Sequence, residues 1–106
     1  MANRNRTAGL NYERKIAQEL RQLGYHTVTS RQECRSLDAA GVDLVTTFPL
    51  KPQIKCSVNQ PNVHNLLSST EADIIFYKRV KKVNKNFIPT GEYVMMRKED
   101  FYSKFL

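Results

Sequence analysis

The stretch Val42-Asp43-Leu44-Val45-Thr46-Thr47-Phe48-Pro49-Leu50-Lys51-Pro52-Gln53-Ile54-Lys55-Cys56-Ser57-Val58 decides how this chain is read. Two runs rich in β-formers flank the proline-bounded segment Pro49-Leu50-Lys51-Pro52, a pattern that predicts a β-hairpin. In the second run Gln53 and Lys55 share a face by the two-residue period of a strand, and Ile54 and Cys56 point the other way. Asp43 opens the first run, just after the small residues Ala39-Ala40-Gly41. A symmetric hairpin centred near Leu50 sets Asp43 opposite Ser57, about four residues or roughly 13 Å along the strand from Gln53. Bringing Asp43 to Gln53 therefore requires a shifted register, a twist or a bulge.

Upstream, Tyr12, Ile16, Ala17, Leu20 and Leu23 recur at helical spacing, with Arg14, Lys15, Gln18, Arg21 and Gln22 on the opposite side. This predicts a helix over 9–23 that Gly24 terminates. Residues 25–30 read as a strand, followed by a polar loop through Gly41. Downstream, Pro61 opens a short helix carrying Val63, Leu66 and Leu67. Ala72 to Tyr77 has the length and apolar content of a central strand. The basic residues that follow, with Asn84-Lys85-Asn86, read as an exposed turn; 92–97 as a strand; and 98–106 as a short terminal helix. The expected architecture is one α/β (α+β) domain over 1–106, of order αβββαββα, with a central mixed sheet flanked by helices.

Charge indicates the partner. With 17 Lys and Arg against 10 Asp and Glu, the chain carries a formal net charge of +7 and a pI near 9.7. That is the electrostatic footprint of a phosphate-backbone binder. Basic residues gather in 1–35 (Arg4, Arg6, Arg14, Lys15, Arg21, Arg31 and Arg35) and again in 75–85, where Lys78, Arg79, Lys81, Lys82 and Lys85 have no acid among them. Arg14, Lys81 and Lys82 are accordingly candidate DNA contacts. No apolar run approaches the roughly 20 residues of a membrane span, and no basic segment has the apolar face of an interfacial helix. The start of the chain lacks the apolar stretch of a secretory signal, so a cytoplasmic location is expected. Cys34 and Cys56 are read as ordinary reduced residues, too few for a disulfide framework or a zinc ribbon.

Three positions break the pattern of a plain fold. Glu13 lies inside the arc of Ile16, Ala17 and Leu20, where a carboxylate is costly unless a cation or metal pairs with it. A favourable place near the positive helix N-terminus is the bland account of it. Asp43 and the Gln53/Lys55 pair gather a carboxylate, an amide oxygen and an ammonium, a set suited to phosphodiester hydrolysis. Hard oxygen ligands hold Mg²⁺, a bound metal polarises the phosphate and acidifies water, and a lysine orients that water or stabilises developing charge. Taken singly, an Asp at a strand start is a common turn cap and an alternating Gln and Lys a common solvated face. His26 and His64 stand alone; Glu33 and Asp38 are loop acids that could reach a metal; Ser30 and Ser36 lack a His–Asp context. Tyr77 and Tyr93 read as core or interface aromatics.

A helix with Glu, a strand with Asp, then a strand with an acid or Gln, any residue and Lys resembles the PD-(D/E)xK nuclease superfamily. The stretch from Gly9 to Lys55 is similar to small Holliday junction resolvases of phage and archaeal type. The matching features are Gly9-Leu10-Asn11-Tyr12-Glu13-Arg14-Lys15, Thr29-Ser30-Arg31, Gly41-Val42-Asp43-Leu44-Val45 and Gln53-Ile54-Lys55. The resemblance implies a restriction-endonuclease-like fold. It implies that Glu13, Asp43, Gln53 and the Ile54 carbonyl surround Mg²⁺, with Mn²⁺ as a substitute, and that Lys55 is the catalytic lysine. It further implies that Arg4, Arg6, Arg31, Arg35 and Ser36 contact DNA near the scissile phosphate, and that a homodimer cuts a four-way junction. Gln53 stands where the family usually has Glu or Asp, and weaker metal affinity is expected from the lost charge. A restriction- or nicking-type enzyme on duplex DNA, and a non-catalytic nucleic-acid-binding module, are the alternatives. The small size suits a virus or mobile element acting in a host cytoplasm.

Overall fold

The computed structural model describes residues 4–106, with side chains from Thr7 onward. Helix α1 runs over Arg4–Gln22, starting earlier than its apolar pattern suggests because no proline interrupts its first turns. Gly9 is tolerated within it at about 1 kcal/mol relative to alanine. Gly24 takes a positive φ of 99° and turns the chain out of the helix, as expected of glycine just past a C-terminus. That early stop leaves Leu23 exposed instead of on the buried stripe.

Strand β1 (Thr27–Thr29) leads directly into two short helices, α2 (Ser30–Glu33) and α3 (Arg35–Ala39), where the sequence suggested only a loop. Strands β2 (Leu44–Thr46) and β3 (Pro52–Ser57) follow, then α4 (Val63–Ser69), capped by the Asn62 side chain accepting from the Asn65 N–H. The chain ends in a long hairpin, β4 (Ile74–Val83) and β5 (Asn86–Met96), and α5 (Lys98–Phe105). The order is thus αβααββαββα. The basic residues 78–82 are strand residues on β4, not a turn, because cross-strand pairing from Ile74↔Met96 to Val83↔Asn86 carries the ladder to the tip. There Asn84 adopts a positive φ of 57°, a conformation asparagine reaches more easily than most residues.

The expected hairpin over 42–58 does not form. β2 pairs antiparallel with β1, from Thr27↔Thr46 to Thr29↔Leu44, whereas β3 pairs in parallel with β4, from Pro52↔Ile74 to Ser57↔Arg79. The strands therefore fall into a two-stranded sheet β1-β2 and a three-stranded mixed sheet β3-β4-β5. Physically, β3 has an alternative partner that the local pattern does not show. The α4 crossover returns β4 beside it, and the apolar run Ile74-Ile75-Phe76-Tyr77 packs on both faces.

One face of the larger sheet meets α1, whose Tyr12, Ile16, Ala17 and Leu20 pack with Leu44 and Ile54. Leu67 of α4 packs with Ile75 and Tyr77 on the other face, with Val63, Leu66 and Met95 around them. Phe48, in the β2–β3 connection, meets Tyr25, Phe76 and Phe105 at centroid distances of 5.2, 6.5 and 6.2 Å. Among the described residues no helix is long and apolar enough to cross a membrane.

Candidate active site

The two sheets touch where they fork, and Asp43 sits at the fork. Its N–H donates to the Pro52 carbonyl (2.9 Å) and its carbonyl accepts from the Ser30 N–H (3.0 Å). Its carboxylate Oδ2 accepts from the Ile54 N–H at 2.7 Å. The side chain of Asp43 thus takes the place of a neighbouring strand for the edge of β3, satisfying a backbone donor that the splayed sheets leave over. This resolves the spacing conflict. Since β2 and β3 do not pair as a hairpin, Asp43 lies beside Gln53 and Ile54, not opposite Ser57. The Ile54 carbonyl emerges on the same edge as its N–H, as both polar groups of a strand residue do.

Several buried contacts hold Asp43 in place. Ser30 is fully buried, and its Oγ donates to the Val42 carbonyl at 2.5 Å. Gly41 has a φ of 85°, and a Cβ there would fall 2.5 Å from Thr70 Cγ2. Only glycine meets both demands. The Thr29-Ser30-Arg31 and Ala40-Gly41 segments flank Asp43 for mechanical reasons that spacing alone does not reveal.

Glu13 reaches the same region from α1 and is 8 % exposed. The cation that its place in the apolar arc demands is Arg31, whose Nε lies 3.3 Å from Glu13 Oε1. Burial nevertheless pushes the Glu13 carboxyl above its ordinary range; Arg31 opposes the shift, and the Asp43 and Asp38 charges add to it. Burial raises the Asp43 carboxyl too, against the pull of the Ile54 N–H and Lys55. The Asp43 charge acts on Glu13, and neither carboxylate is fully compensated by the protein.

Gln53 completes the set. It is 8 % exposed, and its Oε1 is buried without a hydrogen-bond partner among the described residues. A buried amide oxygen without a donor costs about 1–3 kcal/mol, a cost that a positive ligand at this position would relieve. Lys55, half-buried two residues on, is close enough to act on the Asp43 charge. Two carboxylates, an amide oxygen and a strand carbonyl are hard donors of the kind that suit Mg²⁺. Among the described residues no three His, Cys, Asp or Glu side chains form a metal-holding group, so any cation here depends on Gln53 and the backbone for its remaining ligands.

The other sequence candidates separate into groups. Arg31 lies inside the site as the partner of Glu13. Arg14 is exposed on α1 and Arg35 and Ser36 at the start of α3. Ser36 Oγ lies 3.2 Å from Cys34 Sγ. The side chains of Arg4 and Arg6 lie outside the described residues. Lys81 and Lys82 take opposite faces of β4, one beside Tyr93 and the other beside Ala8 and Phe87. His26 and His64 are exposed, and Glu33 and Asp38 are solvated at the surface, with Asp38 acting on the site through its charge. Arg21 is a structural residue, donating to the Thr27 carbonyl at 2.7 Å. No family model, curated protein or solved structure matches this chain.

Proposed function

We propose that the protein is a divalent-metal-dependent DNA endonuclease of the PD-(D/E)xK type, acting on branched DNA as a Holliday junction resolvase does. The observation that carries the reading is the fork at Asp43. It sets the Asp43 carboxylate on the edge of β3, within reach of the Glu13 and Lys55 charges and next along the strand from Gln53, whose buried Oε1 has no hydrogen-bond partner among the described residues. The mixed α and β order supports a restriction-endonuclease-like fold, although α2 and α3 and the splitting of the sheet depart from the simple expectation. The residues present fit a hard cation: Glu13, Asp43, Gln53 and the Ile54 carbonyl would hold Mg²⁺ or Mn²⁺. When bound, the metal polarises a phosphodiester and acidifies water.

The chain's own residues do the rest. Asp43, held at both backbone groups and at Oδ2, fixes where the phosphate approaches. Lys55 orients the attacking water and stabilises charge on the phosphoryl oxygens. Arg31 pairs with Glu13 through Nε, and the further N–H donors of its guanidinium would serve a neighbouring phosphate. Arg14, Arg35 and Ser36 extend the phosphate contacts outward. Paired nicks on a four-way junction need two such sites, and hence a homodimer; exposed Phe101, Tyr102 and Phe105 on α5 offer apolar surface for one.

One observation favours a second reading. Arg31 already supplies a counter-charge to Glu13, and Gln53 is neutral, an arrangement that a non-catalytic nucleic-acid-binding module could keep. The test is cleavage of four-way junction, flap and linear duplex substrates with Mg²⁺ or Mn²⁺, by wild type and Lys55→Ala. The nuclease reading expects metal-dependent cleavage that Lys55→Ala abolishes while binding persists, with symmetric paired nicks on the junction. Preferred cutting of linear duplex would move the reading to a restriction- or nicking-type enzyme. No cleavage of any substrate by wild type would leave the binding module.

A further inference from the structure

The sheet face that carries Gln53 and Lys55 continues across β4 to β5. Lys55 is registered with Tyr77, and Tyr77 with Tyr93, so the three share one row of the same face. Two strand spacings of about 4.8 Å put Tyr93 on the order of 10 Å from Lys55. Tyr77 is buried and its hydroxyl donates to the Ser57 carbonyl at 3.1 Å. Tyr93, by contrast, is 51 % exposed, its ring stacked beside that of Tyr77 at 6.3 Å between centroids and 29° between planes.

The Tyr93 ring is laid down along the sheet. A Cβ on Gly91 would fall 2.5 Å from its Oη and 2.9 Å from its Cζ, so the ring lies across the bare glycine. Arg79 pairs with Gly91, and beside it the ladder shifts register, with the Thr90 hydroxyl donating to the Arg79 carbonyl at 3.2 Å. Tyr93, Arg79, Lys81 and Thr90 line a groove of about 320 Å³ with Val58 and Val80, and no acid enters it. The nearest acid on the strand, Glu92, faces the other way and bonds Lys15 at 2.8 Å. Among the described residues neither Arg79 nor Lys81 has an ion-pair partner. Beyond Arg79 the β3 side of β4 is unpaired among the described residues, and such free edges often carry cations simply to resist pairing with other chains. That purpose does not call for a flattened, half-exposed aromatic beside them.

We infer that this groove is a subsite for an unpaired nucleotide, its base stacked on Tyr93 and its phosphates on Arg79 and Lys81. Aromatic stacking between backbone-tracking cations is the chemistry by which single-stranded nucleic acid is held without sequence preference. The inference rests on the nuclease reading only for its relation to Lys55. There it specifies the substrate as DNA with an unstacked nucleotide near the scissile phosphate, as at a branch or flap, in place of uninterrupted duplex.

The test is fluorescence anisotropy in EDTA, where no cleavage occurs, with a labelled oligothymidylate and a labelled blunt-ended duplex of two annealed strands as probes. Tyr93→Ala should weaken oligothymidylate binding by about tenfold and leave duplex binding nearly unchanged, while Tyr93→Phe binds as wild type. Gly91→Ala retains the tyrosine but displaces its ring, and should also weaken the single-strand probe. Circular dichroism melts confirm that each variant is folded. Unchanged oligothymidylate affinity in Tyr93→Ala overturns the inference. So does an equal loss for duplex, or a change of sedimentation alone, which would make Tyr93 a self-association residue. Because affinity is read without metal, failure of the nuclease reading appears separately, as the absence of Mg²⁺-dependent cleavage by wild type.

Discussion

Replacing Gln53 by Glu puts the metal hypothesis under the most direct strain, because it adds a carboxylate where the structure leaves an amide oxygen unpartnered. The new carboxyl would be as buried as the amide, 8 % exposed, on the strand whose Ile54 N–H binds Asp43, a carboxyl that burial already raises. Two unit charges repel by about 4 kcal/mol at 4 Å under an effective dielectric of 20. A third carboxylate is therefore held protonated in the metal-free protein, and its folded pKa lies above its unfolded one. For such a group, stability is lost as pH rises from the unfolded pKa through the raised folded value. In EDTA, Gln53→Glu should match wild type near pH 4 and be less stable by about 1–3 kcal/mol near pH 8. With Mg²⁺ that deficit shrinks. If the added charge tightens binding tenfold, the variant gains about 1.4 kcal/mol more metal stabilisation than wild type. In a domain of this size that corresponds to roughly 5–10 °C in Tm. Thermal denaturation at the two pH values, with EDTA or MgCl₂, reads all four corners. Equal stability in EDTA at pH 8, together with no Mg²⁺ shift in either protein, would refute the idea that these oxygens surround a cation site.

Wild type should itself show a shallower form of this dependence. Because both Glu13 and Asp43 are raised, metal-free stability should fall as pH climbs above about 4–4.5, the unfolded carboxylate range. Glu13→Gln should flatten that fall and remove most of the Mg²⁺ stabilisation; calorimetric melts against pH would show it, and an unaltered Mg²⁺ shift would make Glu13 a structural partner of Arg31 only. Ser30→Ala removes the buried hydrogen bond to the Val42 carbonyl and should cost about 1–2 kcal/mol in urea denaturation. It should lower cleavage more than DNA binding, since it loosens the support of Asp43 and not a phosphate contact; equal losses would argue against a positioning role.

How far the sequence could be read depended on whether each feature was local. α1, with Tyr12, Ile16, Ala17 and Leu20 on its buried stripe, followed from a 3.6-residue period. The oddity of Glu13 on that stripe was visible before any partner could be named. The strand character of 44–46 and 52–57 was equally plain. Their pairing was not, because pairing is decided by what returns beside them. β4 arrives from beyond α4, and its parallel register with β3 has no local signature. The same remoteness hid the extent of the hairpin: lysines at 78, 81 and 82 resemble a solvated turn until β5 is laid against them. Arg31 as the partner of Glu13 was hidden for the related reason that helix α2 had no apolar period to announce it.

The failed hairpin turns out to be the condition for the site. Had β2 and β3 paired in register, the Ile54 N–H and carbonyl would be spent in a ladder and Asp43 would lie about 13 Å from Gln53. Because the sheets part after Leu44, the Asp43 carboxylate itself meets the Ile54 N–H, at 2.7 Å. The edge of β3 is left open beside Asp43, with Glu13 within reach of the Asp43 charge and Gln53 next to Ile54 on the strand. The splay that removes hydrogen bonds from the sheet is the feature that leaves the Asp43 carboxylate at the β3 edge, and on the proposed reading a positive group would stabilise the site. Arg31 does so in part, through one contact at 3.3 Å to one of the carboxylates. The remaining deficit, on Asp43 and on the unpartnered Gln53 oxygen, is what the Gln53→Glu melts are designed to expose.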